Sequence, residues 1–170
     1  MPPVDSFKYL PRLIALFYQS NQREPQLPIP WTALKKPVAE SKFGLITSGG
    51  VYDRSRQQPF DLDRERREPR WGDPSFRTIP ITIPTEDLGV SHLHVNPDDI
   101  LEDIDILLPI HRFQELATAG VIGGVAQDAI SFMGYQGFPP NTDEWEKTYA
   151  PQVAELFKAE DVDCILLTPS

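Results

Sequence analysis

The residues best suited to chemistry come in small groups. Ser91-His92-Leu93-His94 lies in an apolar stretch, Val90 to Val95, that reads as a β-strand. Side chains alternate across a strand, so His92 and His94 leave one face while Leu93 and Val95 leave the other. Two imidazoles at that spacing can bind a metal with His111 or Asp73 as a third ligand, line a metal-free polar pocket, or pair at an ordinary surface. Spacing supplies no clear third and fourth ligand, and no metal is expected. Gly72-Asp73-Pro74-Ser75-Phe76-Arg77 sets an acid, a hydroxyl and a guanidinium in a proline-bounded turn. Arg77 can hold a carboxylate through paired N–H donors, or it can pair with Asp73 and pin the loop.

Other groups read more blandly. Gly49-Gly50 can bring backbone N–H groups to an anion, but it fits neither G-x-G-x-x-G nor the P-loop and no lysine follows. A tight turn at positive φ explains it better. Asp61 to Arg70 alternates acids with arginines, as solvated loops do. Cys164, the single cysteine, sits in an apolar run and reads as a small buried hydrophobe. No Ser/His/Asp or Cys/His arrangement follows from spacing.

The elements that must position these groups are legible from periodicity. Asp5 to Ser20 has helical spacing, with Pro11 as a kink or a late start. Residues 24 to 38 form a proline-rich extended loop carrying Trp31. Phe43 to Ser48 is a strand running into the glycine pair, and residues 53 to 74 are an irregular, charged connection. Further strands are expected at Ile79 to Ile83, Val90 to Val95 and Ile104 to Leu108. Asn96-Pro97-Asp98-Asp99 starts a helix, with Asn96 as cap and proline at the first position. His111 to Ala119 is a short helix stopped by Gly120. Val121 to Phe132 reads as a strand followed by a loop through Gly134 and Gly137. Residues 142 to 160 form the clearest helix, bent at Pro151, and Asp161 to Ser170 reads as a buried strand leading into a turn. The alternation points to an α/β three-layer sandwich with a partly parallel sheet, in one domain, with an irregular proline-rich N-terminal half.

Composition narrows the partners. A net charge of −9 over 170 residues argues against nucleic acid and anionic membranes. One cysteine excludes an internal disulfide and a multi-cysteine zinc site. The start lacks a basic leader, and the apolar run Leu13 to Tyr18 is too short to span a bilayer. A soluble cytoplasmic protein is expected.

Taken in order, several segments resemble one family: Phe43 to Tyr52, Gly72 to Pro80, Ser91 to His94, Val121 to Ala126, Ser131 to Tyr135 and Asp163 to Pro169. That family is selenoprotein B of the glycine, sarcosine, betaine and D-proline reductases, nearest its small D-proline-reductase-like members. In it, the strand resembling Asp163 to Thr168 is followed by a redox motif with selenocysteine or cysteine. This chain stops at Ser170, so the resemblance implies a domain, residues 1 to 170, incomplete at its C-terminus. A UGA codon read as a stop, or deliberate shortening, would give that end.

The resemblance implies a dithiol-dependent reductive cleavage of a carbon–nitrogen bond in a D-proline-, glycine- or betaine-type amino acid. The nucleophile would be a selenolate or thiolate beyond Ser170, and the substrate would be activated by a pyruvoyl group on a partner subunit. A homo- or hetero-oligomer is implied. Carried onto this chain, the pocket-side positions are Ser48, Gly49, Gly50 and Tyr52, then Asp73, Ser75 and Arg77, then His92 and His94. Arg77 would hold a carboxylate, and the histidines would support hydrogen bonding or proton transfer. The alternatives are a non-catalytic binding module of the same fold and a metal-dependent enzyme using His92 and His94.

Overall fold

Proline has no N–H to give to a helix, so a helix starts readily just after one. Here α1 (Arg12–Ser20) begins next to Pro11, whose carbonyl accepts the Ala15 N–H at 2.9 Å; Pro11 marks a late start. The computed structural model describes residues 8, 10–20, 28, 32–93 and 96–170, without the side chains of Phe17 and Tyr18. Trp31, His94 and Val95 lie outside these. The chain divides into two units, Met1–Ala33 and Leu34–Ser170, and the second carries everything below.

In chain order, β1 (Lys42–Thr47), β2 (Val51–Asp53), α2 (Leu62–Arg67), β3 (Phe76–Pro80) and β4 (Leu88–Val90) come first. Then follow α3 (Pro97–Glu102), α4 (Ile110–Thr118), β5 (Gly124–Val125), β6 (Asp128–Phe132), α5 (Ala150–Ala159) and β7 (Cys164–Thr168). Despite its place in the proline-rich half, β1 is the central strand. The carbonyls of Ser41 and Phe43 accept from Gly123 and Ala126, while that of Lys42 accepts from Asp163. Alternate carbonyls face opposite edges, so β5 and β6 share one edge of β1 and β7 holds the other. All three run parallel to β1, and β3 closes the far side antiparallel to β6. β2 and β4 pair separately as a short antiparallel ribbon.

Both faces are covered, as a mixed sheet in a three-layer α/β fold requires. On one face Leu45, Ile79, Leu88, Ile104, Leu108 and Ile110 form the larger core, and the Phe43 and Phe113 rings meet at 5.5 Å to seat α4. On the other, Val153 and Phe157 of α5 pack on Ala126, Ile130 and Phe132. A ring as fully buried as Phe157 contributes about 1.5–3 kcal/mol by removal from water. No helix among the described residues is long and apolar enough to cross a membrane.

Several expectations are corrected. Ile104 to Leu108 is not a strand; Ile104–Ile106 forms one 3₁₀ turn. The Asp103 carboxylate accepts the Asp105 N–H at 3.0 Å and that of Asp105 accepts the His111 N–H at 2.9 Å, which bends the chain into α4. β4 ends at Val90 because its partner β2 has three residues, so His92 lies beyond the strand. β3 comes three residues earlier than expected at both ends. The stretch 121 to 132 is two short strands, with a break at Ala126 and Gln127. The charged connection 53 to 74 contains α2, capped by the Asp61 carboxylate on the Arg64 N–H. β7 is a strand, yet not a buried one: Ile165 and Leu167 are 48% and 65% exposed.

Candidate functional site

Open α/β sheets gather ligands beyond the carboxyl ends of their parallel strands. Here β1 and β7 end side by side, Thr47 opposite Thr168. Hydroxyls tie these ends together. Thr47 Oγ1 donates to the Thr168 carbonyl and Thr168 Oγ1 to the Ile46 carbonyl, each at 3.1 Å. Past the strands, Ser48 Oγ accepts the Ser170 N–H at 2.9 Å. Gly134 closes in on the same point, where a Cβ would stand 2.8 Å from the Ser170 carbonyl oxygen and 3.3 Å from Ser48 Oγ.

These groups border an open crevice of about 540 Å³, whose apolar side is Ile46, Phe132, Trp145, Ala150 and Leu167. Trp145 enters on a π-helical turn, Trp145–Tyr149, that precedes α5. Its ring meets Phe132 edge-on at 5.4 Å, and its Nε1 is buried without a hydrogen-bond partner among the described residues. Among the described residues, no charged side chain lines the crevice.

Of the residues expected from sequence, Ser48 borders this crevice directly. Gly49 and Gly50 lie just behind it. Gly50 sits at φ +66° with its N–H on the Phe132 carbonyl at 2.8 Å, and a Cβ there would fall 2.1 Å from the Ser91 oxygen. The glycine pair is thus a turn required by positive φ and close approach. Tyr52 lies on β2 with its ring against Gly89.

Asp73, Ser75 and Arg77 form a second cluster. Asp73 Oδ1 accepts both the Ser75 N–H and its hydroxyl, at 3.0 and 2.5 Å. Arg77 Nη1 donates to Ser75 Oγ at 2.8 Å and Nε to the Gln58 carbonyl at 3.0 Å; Nη2 stands 3.9 Å from Asp73. The guanidinium also lies 4.2 Å over the Phe60 ring, and burial pushes its pKa down while Asp73 opposes that. Gln136, almost fully buried, donates to the carbonyls of Asp73 and Met133 and so braces this turn against the loop carrying Gly134.

His92 follows β4 with a half-buried side chain, and His94 lies outside the described residues. His111 Nδ1 faces Asp105 at 3.0 Å. Among the described residues no three His, Cys, Asp or Glu side chains are grouped to hold a metal.

Thr47, Phe132, Gly134, Leu167 and Thr168 lie within the family-like segments, and Trp145 outside them, but none was expected as a site residue. Their signal is topological. Four sit at or just past the carboxyl ends of β1, β6 and β7, and Trp145 lies on the helix packed over that end.

Fold and site together define an α/β protein with an apolar crevice at the carboxyl ends of its parallel strands. The chain is 32% identical over 151 residues to the D-proline reductase subunit gamma of Acetoanaerobium sticklandii, a match taking in 88% of this chain and 57% of that protein. It therefore spans less than two thirds of that relative's length. The match supports the likeness to D-proline-reductase-like proteins read from the motifs. No family model matches the chain, and no solved structure does.

Proposed function

We propose that the chain forms the scaffold and crevice of a subunit of a dithiol-dependent reductase that cleaves a carbon–nitrogen bond of an amino acid of the D-proline or glycine/betaine type. One observation carries the reading. The Ser170 N–H is anchored on Ser48 at the crevice, so a residue following Ser170 enters where a reacting carbon can sit. In this reading that residue is a selenocysteine or cysteine. Its selenolate or thiolate attacks the α-carbon, the carbon–nitrogen bond breaks, and nitrogen leaves with the electron pair. A dithiol then attacks the sulfur or selenium atom, the carbon takes up a proton, and the dithiol ends as a disulfide. A pyruvoyl group on a partner subunit would supply the carbonyl that activates the amine.

Likeness to a protein named as a reductase subunit supports this reading and a hetero-oligomeric setting. A cytoplasmic location belongs to the same proposal. The second reading, a binding module without chemistry, is favoured by a crevice that, among the described residues, is lined by no acidic, basic or thiol side chain. The coding sequence just after the Ser170 codon separates the two. An in-frame UGA with coding sequence beyond it, or a cysteine codon, is expected; a true stop with no further frame would remove the reductase reading.

A further inference from the structure

The segment around Gly72 and the loop from Tyr135 to Glu144 meet backbone to backbone. Between them lies a pocket of about 90 Å³ that shares no lining residue with the crevice. The approach is close. A Cβ on Gly72 would fall 2.2 Å from the Tyr135 oxygen, and one on Gly137 would fall 2.2 Å from that of Arg70. The Phe138 N–H donates to the Pro69 carbonyl at 3.0 Å, so main chain fixes the walls before any ligand arrives.

The most buried lining residue carries an acceptor without a donor. Gln136 is 5% exposed, and its Nε2 donates to the carbonyls of Asp73, Met133 and Tyr135 at 2.8, 2.9 and 3.0 Å. Three acceptors assign the nitrogen to that side, so Oε1 points the other way. No described donor meets Oε1, and it is not sealed from solvent. At the rim stand both signs of charge. Arg70 and Glu144 are exposed, and among the described residues neither has an ion pair or a side-chain hydrogen bond. Asn141 Oδ1 accepts the Asp143 N–H at 3.0 Å, which leaves its own N–H₂ unengaged. A simple anion here is repelled by Glu144 and a simple cation by Arg70, whereas a molecule bearing both charges meets an opposite partner at each end.

We propose that this pocket binds a small zwitterion, its acid group taken by Arg70 and Asn141 and its ammonium by Gln136 Oε1 and Glu144. The volume equals that of about three waters at about 30 Å³ each, which restricts the ligand to the smallest such molecules. The site rests on no part of the proposed reductase chemistry.

β-Alanine is the probe, with propionate and ethylammonium as its single-charge fragments and propionamide as a neutral donor and acceptor. Each is titrated at pH 7 and low salt into the full chain. Trp71 lines this pocket and Trp145 the crevice, so their indole N–H signals in NMR report which site fills. β-Alanine is expected to move Trp71 and not Trp145, and to bind about tenfold more tightly than any of the other three. Arg70→Gln and Glu144→Gln should each weaken it about tenfold with unchanged melting temperature, because both side chains are exposed and unpaired among the described residues. A fragment or the amide binding as tightly as β-alanine overturns the proposal. So does a response at Trp145 in place of Trp71, no response at all, or a variant that binds like the parent.

Discussion

The two ends of the β1–β7 pair are built from opposite materials. At the amino end the strands are clamped by charge. Asp163 accepts the Lys42 N–H at 3.0 Å and the Lys36 ammonium at 2.9 Å, while Glu160 takes the Lys42 ammonium at 3.0 Å and the Gln127 N–H at 2.8 Å. The Lys42 N–H and the Lys36 ammonium hold the Asp163 carboxyl below its usual range, and its hydrogen bond raises Lys36. At the carboxyl end the described residues form no ion pair, only hydroxyl bonds beside an open apolar crevice. The strands and register are the same, but the charged end fixes the pairing and the other end opens onto the crevice that the proposed function uses.

Phe157 serves both ends, because its ring lies against Gly44 on β1 and fills the core under α5. Phe157→Ala should cost about 3–5 kcal/mol in urea unfolding and weaken both the clamp and ligand binding. A variant that kept full crevice affinity would show the two ends to be independent of α5.

Arg77→Ala comes next, at roughly 1–3 kcal/mol, since it strips a largely buried guanidinium from four acceptors and leaves Asp73 without its cation. Its effect on KM in the intact enzyme divides two roles. A KM that holds while stability falls assigns Arg77 to bracing the turn behind Gly134. A KM that rises many-fold restores the carboxylate role expected from the sequence.

Glu160→Ala tests the clamp alone. It should lower stability by about 1 kcal/mol through the loss of the Gln127 and Lys42 hydrogen bonds, with crevice affinity unchanged. An equal loss of affinity would mean that the ends are coupled along the strands.

Much of this contrast was legible in the sequence, though unevenly. β1 with its glycine turn, the Asn96 cap of α3 and the Gly120 stop of α4 follow from local chemistry that tertiary packing does not overrule. Ile104 to Leu108 misled because its apolar spacing suits a strand, while the signal that matters is the two flanking acids, each capping an N–H downstream. α2 was hidden by charges that obscure its Asp61 cap. The crevice was least legible, because Trp145 lies in no motif and is brought beside Phe132 only by the fold. Ser48 and the carboxyl end of β7 were the parts of it marked in advance.

pH should act mainly on the clamp. A carboxylate whose folded pKa is depressed contributes stability that is present above the unfolded value of about 3.9 and is lost as pH falls through the folded pKa. Asp163 is such a group, and so is Asp53, held down chiefly by the Ser55 hydroxyl. Asp128 runs the other way, raised first by burial and then by Glu160, so its ionisation opposes folding at neutral pH. Thermal melts from pH 7 to pH 3 should therefore show a shallower acid limb in Asp163→Asn and slightly higher stability at pH 7 in Asp128→Asn. An unchanged acid limb would remove Asp163 from the account.

The smallest effect is expected from Trp145→Phe. It deletes an N–H that is buried without a partner among the described residues and keeps an aromatic ring, so stability should stay within about 1 kcal/mol of the parent. A larger loss would show that the indole fills space a phenyl ring cannot.

The most direct test of the central claim is dithiol oxidation by the natural gene product, extended through whatever follows Ser170 and combined with its partner subunits. With D-proline, one equivalent of dithiol should be consumed for each 5-aminopentanoate formed by ring opening, and a serine in place of the selenocysteine or cysteine proposed to follow Ser170 should abolish turnover. Turnover that survives that replacement would contradict the account, because the nucleophile would then lie elsewhere than at the carboxyl end of β7.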